Sequence, residues 1–346
     1  MSAVASMCVP TLGVALAAGV AVAQSNVAGW GGNNKGQINV PPGEYAMVTG
    51  GDLSSVGLRS NGTLIHWGDT NPPCALQNVP SGPFVAVACR SIHCIALRAD
   101  GSIAFWGCPA GNQATVPSGV FTAIAAGRHA DIGLRTDGTA VAWGGGSTPP
   151  RVYPGPFLAV AAGWQFMVGI RADTRELQLL ENWTGNVLLT QVPSGRFVSV
   201  AAADQYACAI REDGTLVAWG SCWDTCDVPS GTFSQVAGGD YHFVALRTDG
   251  TLVAWGDNIA GQTNAPPGVY SSIGAGSSHS FAIRRCRPNC DGSTAAPLLN
   301  VNDFVCFMNL YAAGDPRANC DGSTTAPTLN VNDFVCFNNQ FGAGCT

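Results

Sequence analysis

Apolar and polar positions alternate along most of the chain in short runs, a pattern typical of β-strands. Each unit contains an apolar run such as residues 197–203, a polar pair, a second run ending in Leu-Arg or Ile-Arg, and a third run ending in Trp-Gly. The second and third runs are joined by a dipeptide that accepts positive φ and predicts a two-residue hairpin. These dipeptides are Asn61-Gly62, Asp100-Gly101, Asp137-Gly138, Asp213-Gly214 and Asp249-Gly250. Each unit is therefore predicted to form three antiparallel strands.

The tryptophan that ends the third run recurs at intervals of 36 to 40 residues, at Trp30, Trp67, Trp106, Trp143, Trp183, Trp219 and Trp255. A proline-glycine segment such as residues 117–119 closes the loop that follows, and proline cannot donate to a strand ladder, so the sheet breaks there. Seven small sheets bury their faces best against one another. The pattern predicts an all-β fold, a seven-bladed β-propeller with short three-stranded blades.

The two ends of the repeat region each contain part of a unit. Residues 26–31 supply only a third strand, and residues 271–285 supply only the first two. We expect the N-terminal strand to close the last blade, which removes the exposed sheet edges. In the fourth unit Asp173-Thr174 replaces Asp-Gly, which predicts an irregular hairpin.

One unit carries a family resemblance in residues 237–262, which include Ala-Leu-Arg-Thr-Asp-Gly, Trp255-Gly256, Asn258 and Gly261-Gln262. It resembles the regulator of chromosome condensation repeat, and the short period is similar to the compact bacterial branch that includes the β-lactamase inhibitor protein type II. The resemblance covers residues 27–285. It implies a propeller used as a binding platform, since several families with this fold have no catalytic role.

Composition restricts the choice of compartment and partner. Only 11% of residues are charged, the net charge is −6, and Lys35 is the single lysine, so the chain has no basic stripe for nucleic acid. Fourteen cysteines suit an oxidising compartment. The apolar run 9–23 ends in Ala21-Val22-Ala23, which predicts a signal peptide over residues 1–23. The mature protein is expected to be secreted or held at a bacterial cell surface, monomeric and not inserted in a membrane.

Strand direction places the turns between first and second strands at one end of the propeller, here called the top. These turns differ in every blade, whereas the Asp-Gly hairpins at the bottom are nearly uniform. Variable turns on a rigid frame favour a binding face. The predicted partner-binding residues are Trp164, Trp223, Tyr241, Arg128, Asp204 and Asp240. The alternative interpretation is that they are ordinary solvated turn residues.

His93, His242 and His279 occupy one repeated position, each five residues before the arginine of its blade, which favours a structural role bonding to backbone. The sequence has no nucleophile elbow, zinc-protease helix or phosphate loop. We therefore predict a non-catalytic protein that binds a protein or a glycan. Two alternatives stay open: a hydrolase or lyase acting on surface polysaccharide, which needs two unique carboxylates facing one another, and a purely structural envelope protein.

Residues 286–346 contain a second, duplicated unit in which an oxygen-rich loop precedes an amphipathic helix, with Phe304, Phe307, Met308 and Tyr311 at helical spacing in the first copy. The duplication resembles cysteine-containing dockerins, which implies attachment to a cohesin-like or other surface acceptor. Mapped by motif, weak Ca²⁺ ligands are expected at Asn289, Asp291, Ser293, Asn300, Asp303, Asn319, Asp321, Ser323, Asn330 and Asp333. Each loop is three residues longer than the motif, and a metal-free turn stapled by cysteines is the alternative.

Cysteine spacing suggests staples. Symmetry between the two copies selects Cys290–Cys306, Cys320–Cys336 and Cys286–Cys345 from fifteen possible connectivities. Within the propeller, Cys222 could pair with Cys226 and Cys89 with Cys94. The propeller holds seven cysteines, an odd number, so at least one is predicted to be free.

Overall fold

The computed structural model describes residues 25–70, 76–145, 147–183, 185–221, 226–284 and 301–314, together with Ala318, Asp333 and Phe337. The predicted signal peptide lies outside these residues. Between Val27 and Arg284 the described regular structure is β-sheet apart from a short 3₁₀ helix, Val187–Thr190. In the part of the chain that is described, no helix has the length and apolar character needed to cross a membrane.

In the described part of the chain, twenty-two strands form seven sheets, which confirms the predicted all-β propeller. Blade 1 consists of β2 (Tyr45–Gly50), β3 (Ser54–Arg59) and β4 (Leu64–Gly68); blade 2 of β5 (Phe84–Arg90), β6 (His93–Arg98) and β7 (Ile103–Gly107); blade 3 of β8 (Phe121–Ala125), β9 (Ala130–Arg135), β10 (Ala140–Gly144) and β11 (Ser147–Tyr153). Blade 4 consists of β12 (Phe157–Ala162), β13 (Phe166–Arg171) and β14 (Leu177–Asn182); blade 5 of β15 (Phe197–Ala202), β16 (Tyr206–Arg211) and β17 (Leu216–Gly220); blade 6 of β18 (Phe233–Gly238), β19 (His242–Arg247) and β20 (Leu252–Gly256). Blade 7 combines β21 (Tyr270–Ala275) and β22 (His279–Arg284) with β1 (Val27–Gly31) from the other end of the repeat region.

The predicted closure of the ring is present. Strand β1 pairs antiparallel with β22, with Val27 opposite Ile283 and Gly31 opposite His279. The first strands of successive blades contact one another around the axis, and β21 contacts β2, so the sequence of blades returns to its start. No blade of the ring therefore depends on a single neighbour.

The core lies between blades rather than within one continuous layer. One buried cluster joins Tyr206 and Ile210 of blade 5 to Phe243 and Trp255 of blade 6, and equivalent clusters occupy the other junctions. Each blade buries little apolar surface by itself, so its stability depends on its neighbours. The smallest cluster, built on Leu97, Phe121 and Val141, is the one between blades 2 and 3.

Four of the repeated tryptophans tie their blade to the loop before it through hydrogen bonds, whereas the indole N–H of Trp219 is buried without a partner among the described residues. The Trp67 indole donates to the carbonyl of Gln37 at 2.7 Å, and Trp143 donates to Gln113 at 3.0 Å. Trp30 donates in the same way to Gln262 at 2.9 Å, across the point where the ring closes. A periodic mark in the sequence thus corresponds to a repeated hydrogen bond between units.

The repeated arginines hold the bottom of the blades. The guanidinium groups of Arg59, Arg98, Arg135, Arg171, Arg211 and Arg247 lie 4.9 to 6.0 Å from the ring centre of the aromatic residue that begins the first strand of the same blade. Several also donate to a carbonyl of the proline-glycine segment, as Arg211 does to Ser194 at 2.9 Å. These arginines are consequently engaged in the frame itself.

The bottom hairpins differ from the prediction in length. Gly62 donates its N–H to Arg59, and Arg59 donates to Thr63, so the loop has three residues rather than two. Only the glycine has positive φ, 82° at Gly62, as in a type I turn followed by a glycine bulge. Asn61 instead accepts from the Thr63 N–H through its side chain, at 3.0 Å. The prediction of a two-residue hairpin was therefore wrong.

Blade 4 is irregular, as Asp173-Thr174 predicted. Its hairpin places Arg175 at φ 65°, and the pairing of β13 with β14 shifts between Met167 and Val168. A fourth strand on blade 3, β11, was not predicted, because its two prolines argue against a strand. It pairs with β10 at the sheet edge and brings Arg151 to 2.6 Å from Glu181 of blade 4.

The described C-terminal segment contains the predicted first helix, α1 (Val301–Ala312). Phe307 is buried and stacks on Phe337, its equivalent in the second copy, with ring centres 3.9 Å apart. Met308, predicted on the apolar face, is exposed, because Phe304, Phe307 and Tyr311 already supply the side chains that pack in this cluster. The duplicated units therefore contact each other through equivalent phenylalanines.

Cys89 and Cys94 form a disulfide, and Cys108, Cys226 and Cys306 are also disulfide-bonded. Cys208 is a buried free thiol, so one propeller cysteine is unpaired as expected. The predicted pairs Cys222–Cys226, Cys290–Cys306, Cys320–Cys336 and Cys286–Cys345 each include residues outside the described part of the chain.

The repeated histidines connect neighbouring blades. His242 Nε2 lies 2.8 Å from Ser280 Oγ, His279 Nε2 lies 3.0 Å from Ser55 Oγ, and His93 Nε2 lies 2.9 Å from Asp131 Oδ1. Their role is structural, but the partner is a side chain of the next blade, not backbone as predicted. The serine hydroxyls donate onward to the carbonyls of Gln262 and Gln37, so the Nε2 atoms of His242 and His279 must donate.

This hydrogen-bonding pattern explains why the pKa values of His242 and His279 are low. Their Nδ1 atoms are buried without a hydrogen-bond partner, so a second proton would be placed where nothing accepts it. Burial accordingly lowers the pKa of His242 to about 4 and that of His279 to about 3. Asp131, fully buried beside His93, shifts the other way, since burial raises its pKa.

We expect the free energy of unfolding to fall as the pH drops from about 6.5 towards 4. A depressed folded-state pKa contributes stability that is present above the unfolded value of ~6.5 and is lost on acidification, with a slope of ~1.4 kcal/mol per pH unit for each histidine. Urea unfolding at a series of pH values in this range measures the free energy of unfolding. That free energy should depend less steeply on pH for His279→Gln than for the unsubstituted protein. Equal slopes for the two proteins would contradict the assignment.

Candidate functional site

The top turns surround the axis of the propeller and form what we call the hub surface: residues 51–53, 90–92, 127–129, 163–165, 203–205, 239–241 and 276–278. In six of these turns the first residue is Gly or Ala. A Cβ at Gly163 would lie 2.5 Å from the carbonyl oxygen of Ala203, so the turns approach too closely for larger residues. Arg90 is the exception in blade 2.

Backbone hydrogen bonds link most of the turns into a ring. In each bond the backbone N–H of one turn donates to a backbone carbonyl of the next. The pairs are Asp52 to Ser91 (2.8 Å), Arg128 to Gly163 (3.1 Å), Trp164 to Asp204 (3.0 Å), Asp204 to Asp240 (3.3 Å), Asp240 to Ser277 (3.0 Å) and Ser277 to Gly51 (3.0 Å). Among the described residues, the junction between blades 2 and 3 has no bond of this kind. The ring fixes the hub surface by backbone contacts, so its side chains can vary.

Arg90 extends from blade 2 across the hub to blades 5 and 6. Its Nη2 lies 3.5 Å from Asp204 Oδ1 and 3.4 Å from Asp240 Oδ1, and its Nη1 lies 3.4 Å from the carbonyls of Gly238 and Gly239. The side chains of Arg90 and Asp204 are only 9% and 6% exposed. A buried arginine thus counters two buried carboxylates from the far side of the ring.

The groups around Asp204 shift its pKa in both directions. Burial and the charge of Asp240 raise the pKa of Asp204, while Arg90, Arg128 and a hydrogen bond with Tyr241 lower it, with a net increase. Asp240 accepts a short hydrogen bond from the Ser277 hydroxyl. Two carboxylates from neighbouring blades therefore converge on Arg90, which contacts both of them.

Three of the predicted binding residues lie beside this charged centre. Arg128 Nη1 is 4.0 Å from Asp240 Oδ2, and the Arg128 guanidinium lies 5.9 Å from the ring centre of Trp164. The Trp164 indole donates to Nε2 of His129 at 2.8 Å. The Tyr241 side chain is exposed, and the charge of Asp204 is the main cause of the raised pKa of its hydroxyl.

The side of the hub formed by blades 1 and 2 combines a carboxylate with aliphatic side chains. Asp52 accepts a hydrogen bond from the Ser91 hydroxyl at 3.0 Å. Burial, and then the charge of Asp240, raise the pKa of Asp52. Leu53 and Ile92, the next residues along their turns, are 37% and 45% exposed. This side of the hub surface is therefore both acidic and apolar.

The structure brings together Arg128, Trp164, Asp204, Asp240 and Tyr241, five of the six residues predicted to bind a partner; Trp223 lies outside the described residues. Arg90 and Asp52 were not proposed as anchors. A large residue at a position otherwise occupied by Gly or Ala was the available signal for Arg90. Nothing in the sequence places Asp52 near Asp240, because that proximity depends on ring closure.

Only two of the predicted calcium ligands are among the described residues. Asp303, in the first turn of α1, and Asp333 are described, and both are fully buried. The other predicted ligands, Asn289, Asp291, Ser293, Asn300, Asn319, Asp321, Ser323 and Asn330, lie outside the described residues. Within the described ranges no group of three or more His, Cys, Asp or Glu residues could hold a metal ion. Calcium binding stays a prediction.

Comparison with known proteins agrees with the propeller fold. Residues 233–262 match the model of the regulator of chromosome condensation (RCC1) repeat. Among solved structures, the chain is similar to human WBSCR16, with 14% identity and a TM-score of 0.60 over 71% of this chain and 88% of that one. The chain has the fold of an RCC1-type propeller.

Two further structures with this likeness come from a plant and a yeast. The CRINKLY WD40 ectodomain of the Arabidopsis thaliana receptor kinase ACR4 is 22% identical, with a TM-score of 0.55 over 68% of this chain and 87% of that one. Prp20p from Saccharomyces cerevisiae, whose binding to Gsp1p and histones has been described, is 14% identical, with a TM-score of 0.56 over 74% and 90%. No curated protein matches the sequence significantly.

We expect Arg90→Met to lower the free energy of unfolding at pH 7 by about 3 kcal/mol, because it leaves Asp204 and Asp240 buried without their shared counter-charge. The substitution raises the folded-state pKa of Asp204 further, so the folded state takes up protons more readily and the deficit should shrink towards pH 4. Urea unfolding at both pH values measures this.

Arg211→Met is the matched control for this substitution, since Arg211 lies over Phe197 at the bottom of the propeller and contacts a carbonyl instead of a buried acid pair. Its effect should not decrease on acidification. A deficit for Arg90→Met that is the same at pH 7 and pH 4 would rule out the charge explanation.

Proposed function

We propose that this protein is an exported, non-catalytic binding protein that recognises a protein partner with its hub surface. The observation that carries the proposal is the convergence of Arg128, Trp164 and Tyr241 on a hub fixed by backbone hydrogen bonds and by Arg90. Arginine, tryptophan and tyrosine are the residue types that dominate binding energy at protein interfaces. A preorganised frame also reduces the entropy lost when a partner docks.

The state of the hub carboxylates supports binding over catalysis. Asp204 and Asp240 both contact Arg90, and Asp204 is almost fully buried. These carboxylates therefore stabilise the propeller and are not free to contact a substrate. The structural relatives add support for a protein partner over a glycan, since Prp20p binds Gsp1p and histones. A likeness at this identity concerns the fold, so the particular partner is left to experiment.

The enzyme alternative has one specific observation in its favour. Two carboxylates of neighbouring blades converge, and the pKa of Asp204 is raised by burial and by Asp240, which is an arrangement that glycoside hydrolases use. Release of reducing sugar from surface polysaccharides that is abolished by Asp204→Asn would establish that alternative and replace the present proposal.

Export and surface attachment complete the proposal. The apolar segment ending at Ala23 and the disulfide between Cys89 and Cys94 support an oxidising compartment outside the cytoplasm. The duplicated module at residues 286–346, whose two copies meet at Phe307 and Phe337, is proposed to attach the propeller to a surface acceptor.

We expect the double substitution Trp164→Ala with Tyr241→Ala to weaken binding to the partner by about thirty-fold or more, as for residues that contribute ~2 kcal/mol to an interface. The labelled full-length protein, applied to protein and glycan arrays, identifies the ligand, and titration of that ligand measures the affinity of each variant. Circular dichroism and the melting temperature verify that the variant is folded.

The control is Val85→Ala with Val198→Ala, two exposed valines that follow the aromatic residues at the bottom ends of β5 and β15. This variant should bind as tightly as the unsubstituted protein. If both double variants bind equally well, or if only the bottom substitutions weaken binding, the hub surface is not the recognition site.

Calcium binding by the C-terminal module is tested by calorimetric titration of the full chain with CaCl₂. Loops with few carboxylates predict weak binding, with dissociation constants on the order of 10⁻⁴ to 10⁻³ M. The heat should disappear in the variant Asp303→Asn with Asp333→Asn. Absence of any heat at millimolar Ca²⁺ in the unsubstituted protein would remove calcium from the proposal.

A further inference from the structure

We propose that the hub surface recognises its partner through a basic side chain, lysine or arginine, that approaches Asp52 between Leu53 and Ile92. This inference rests on the proposed function and specifies the chemistry of the partner. It concerns the side of the hub formed by blades 1 and 2, where Asp52 forms no ion pair among the described residues, unlike Asp204 and Asp240, which contact Arg90.

The argument begins with the charges around the axis. Three aspartates occupy equivalent turn positions at 52, 204 and 240, and two arginines face them. Arg90 contacts Asp204 and Asp240, and Arg128 contacts Asp240. Among the described residues Asp52 forms no ion pair, and the hydrogen bond from Ser91 is neutral. Asp52 is therefore the one of these three aspartates that has no ion pair among the described residues.

Asp52 lies where a nearby positive charge would stabilise its ionised carboxylate. It is half-buried, and burial and then the charge of Asp240 raise its pKa more than the Ser91 hydrogen bond and the charges of Arg128 and Arg90 lower it. The ionised carboxylate is therefore only partly compensated. A positive group brought to 3 to 4 Å would supply it, and such a contact is stronger in a partly desolvated hub than at an open surface.

Two buried atoms elsewhere in the hub are also incompletely hydrogen-bonded. Asp204 Oδ1 and Arg90 Nη2 are buried and lie 3.5 Å apart as an ion pair, but neither atom has a hydrogen-bond partner among the described residues. Buried polar atoms in this state normally have a ligand or an ordered water as partner. These two atoms therefore retain hydrogen-bonding capacity that the described residues do not use.

The aliphatic neighbours of Asp52 favour a protein side chain. Leu53 and Ile92 are exposed large apolar residues on adjacent turns. The methylene stem of a lysine or arginine packs against such residues while its charged group reaches the acid. An acidic group would instead meet three carboxylates and a protein of net charge −6. Charge and apolar walls together specify a basic residue flanked by apolar ones.

The test uses three synthetic tripeptide amides, acetylated at the N-terminus: Leu-Arg-Leu, Leu-Gln-Leu and Leu-Glu-Leu. Each is titrated into the full-length protein at pH 7 and low salt, with binding followed by NMR chemical shifts. The arginine peptide should bind at millimolar concentration, the glutamine peptide at least tenfold more weakly, and the glutamate peptide not measurably. Added salt should weaken the binding of the arginine peptide.

Asp52→Asn should weaken binding of the arginine peptide at least tenfold. The matched control is Glu212→Gln, which changes the net charge equally but removes an exposed carboxylate paired with Arg196 at the bottom of the propeller. That variant should bind as the unsubstituted protein does. If Asp52→Asn does not fold, Ile92→Ser provides the second test, since removal of the aliphatic wall should also weaken binding.

Equal binding of all three peptides, no binding of any, or unchanged affinity in Asp52→Asn and Ile92→Ser would overturn the inference. The proposed function would survive these results if Trp164→Ala with Tyr241→Ala still abolished capture of the array ligand. It would fail separately if those substitutions had no effect while the peptide selectivity held.

Discussion

The structure depends on burial between blades. A three-stranded sheet of this length cannot bury both of its faces alone, and each core cluster is shared by two blades. Such an arrangement is stable when every blade has two neighbours, which requires the first and last to meet. The pairing of β1 with β22 satisfies this condition by completing blade 7 from both ends of the repeat region.

Closure also explains why the hub can hold unusual chemistry. Ring closure and the tightly packed Gly and Ala turns fix the backbone around the axis, so side chains there need not contribute to folding in the same way in each blade. Arg90 uses this freedom. Its position is reserved elsewhere for small residues, and its long side chain crosses the axis to meet acids of blades 5 and 6.

The junction between blades 2 and 3 departs from the others in several ways at once. It has the smallest buried cluster, and among the described residues it has no backbone bond between its top turns. It also has the buried pair of His93 and Asp131 where two other blades pair histidine with serine. We interpret the His93–Asp131 contact, with Gln113 beside it, as the polar link that compensates for the smaller apolar contact at this junction.

The sequence by itself determined the number of blades, the three strands of most blades, the closing role of β1 and the irregular hairpin of blade 4. These features follow from local periodicity, turn chemistry and the position of Trp30, all of which are read along the chain. Tertiary structure alone decided the three-residue length of the hairpins, the fourth strand of blade 3, the histidine partners and the meeting of Asp52, Arg90, Asp204 and Asp240. The histidine and hub contacts join residues from different repeats, and their distances exist only once the ring has closed. The hairpin length and the fourth strand lie within single blades and are set by the backbone hydrogen bonds of the folded sheet.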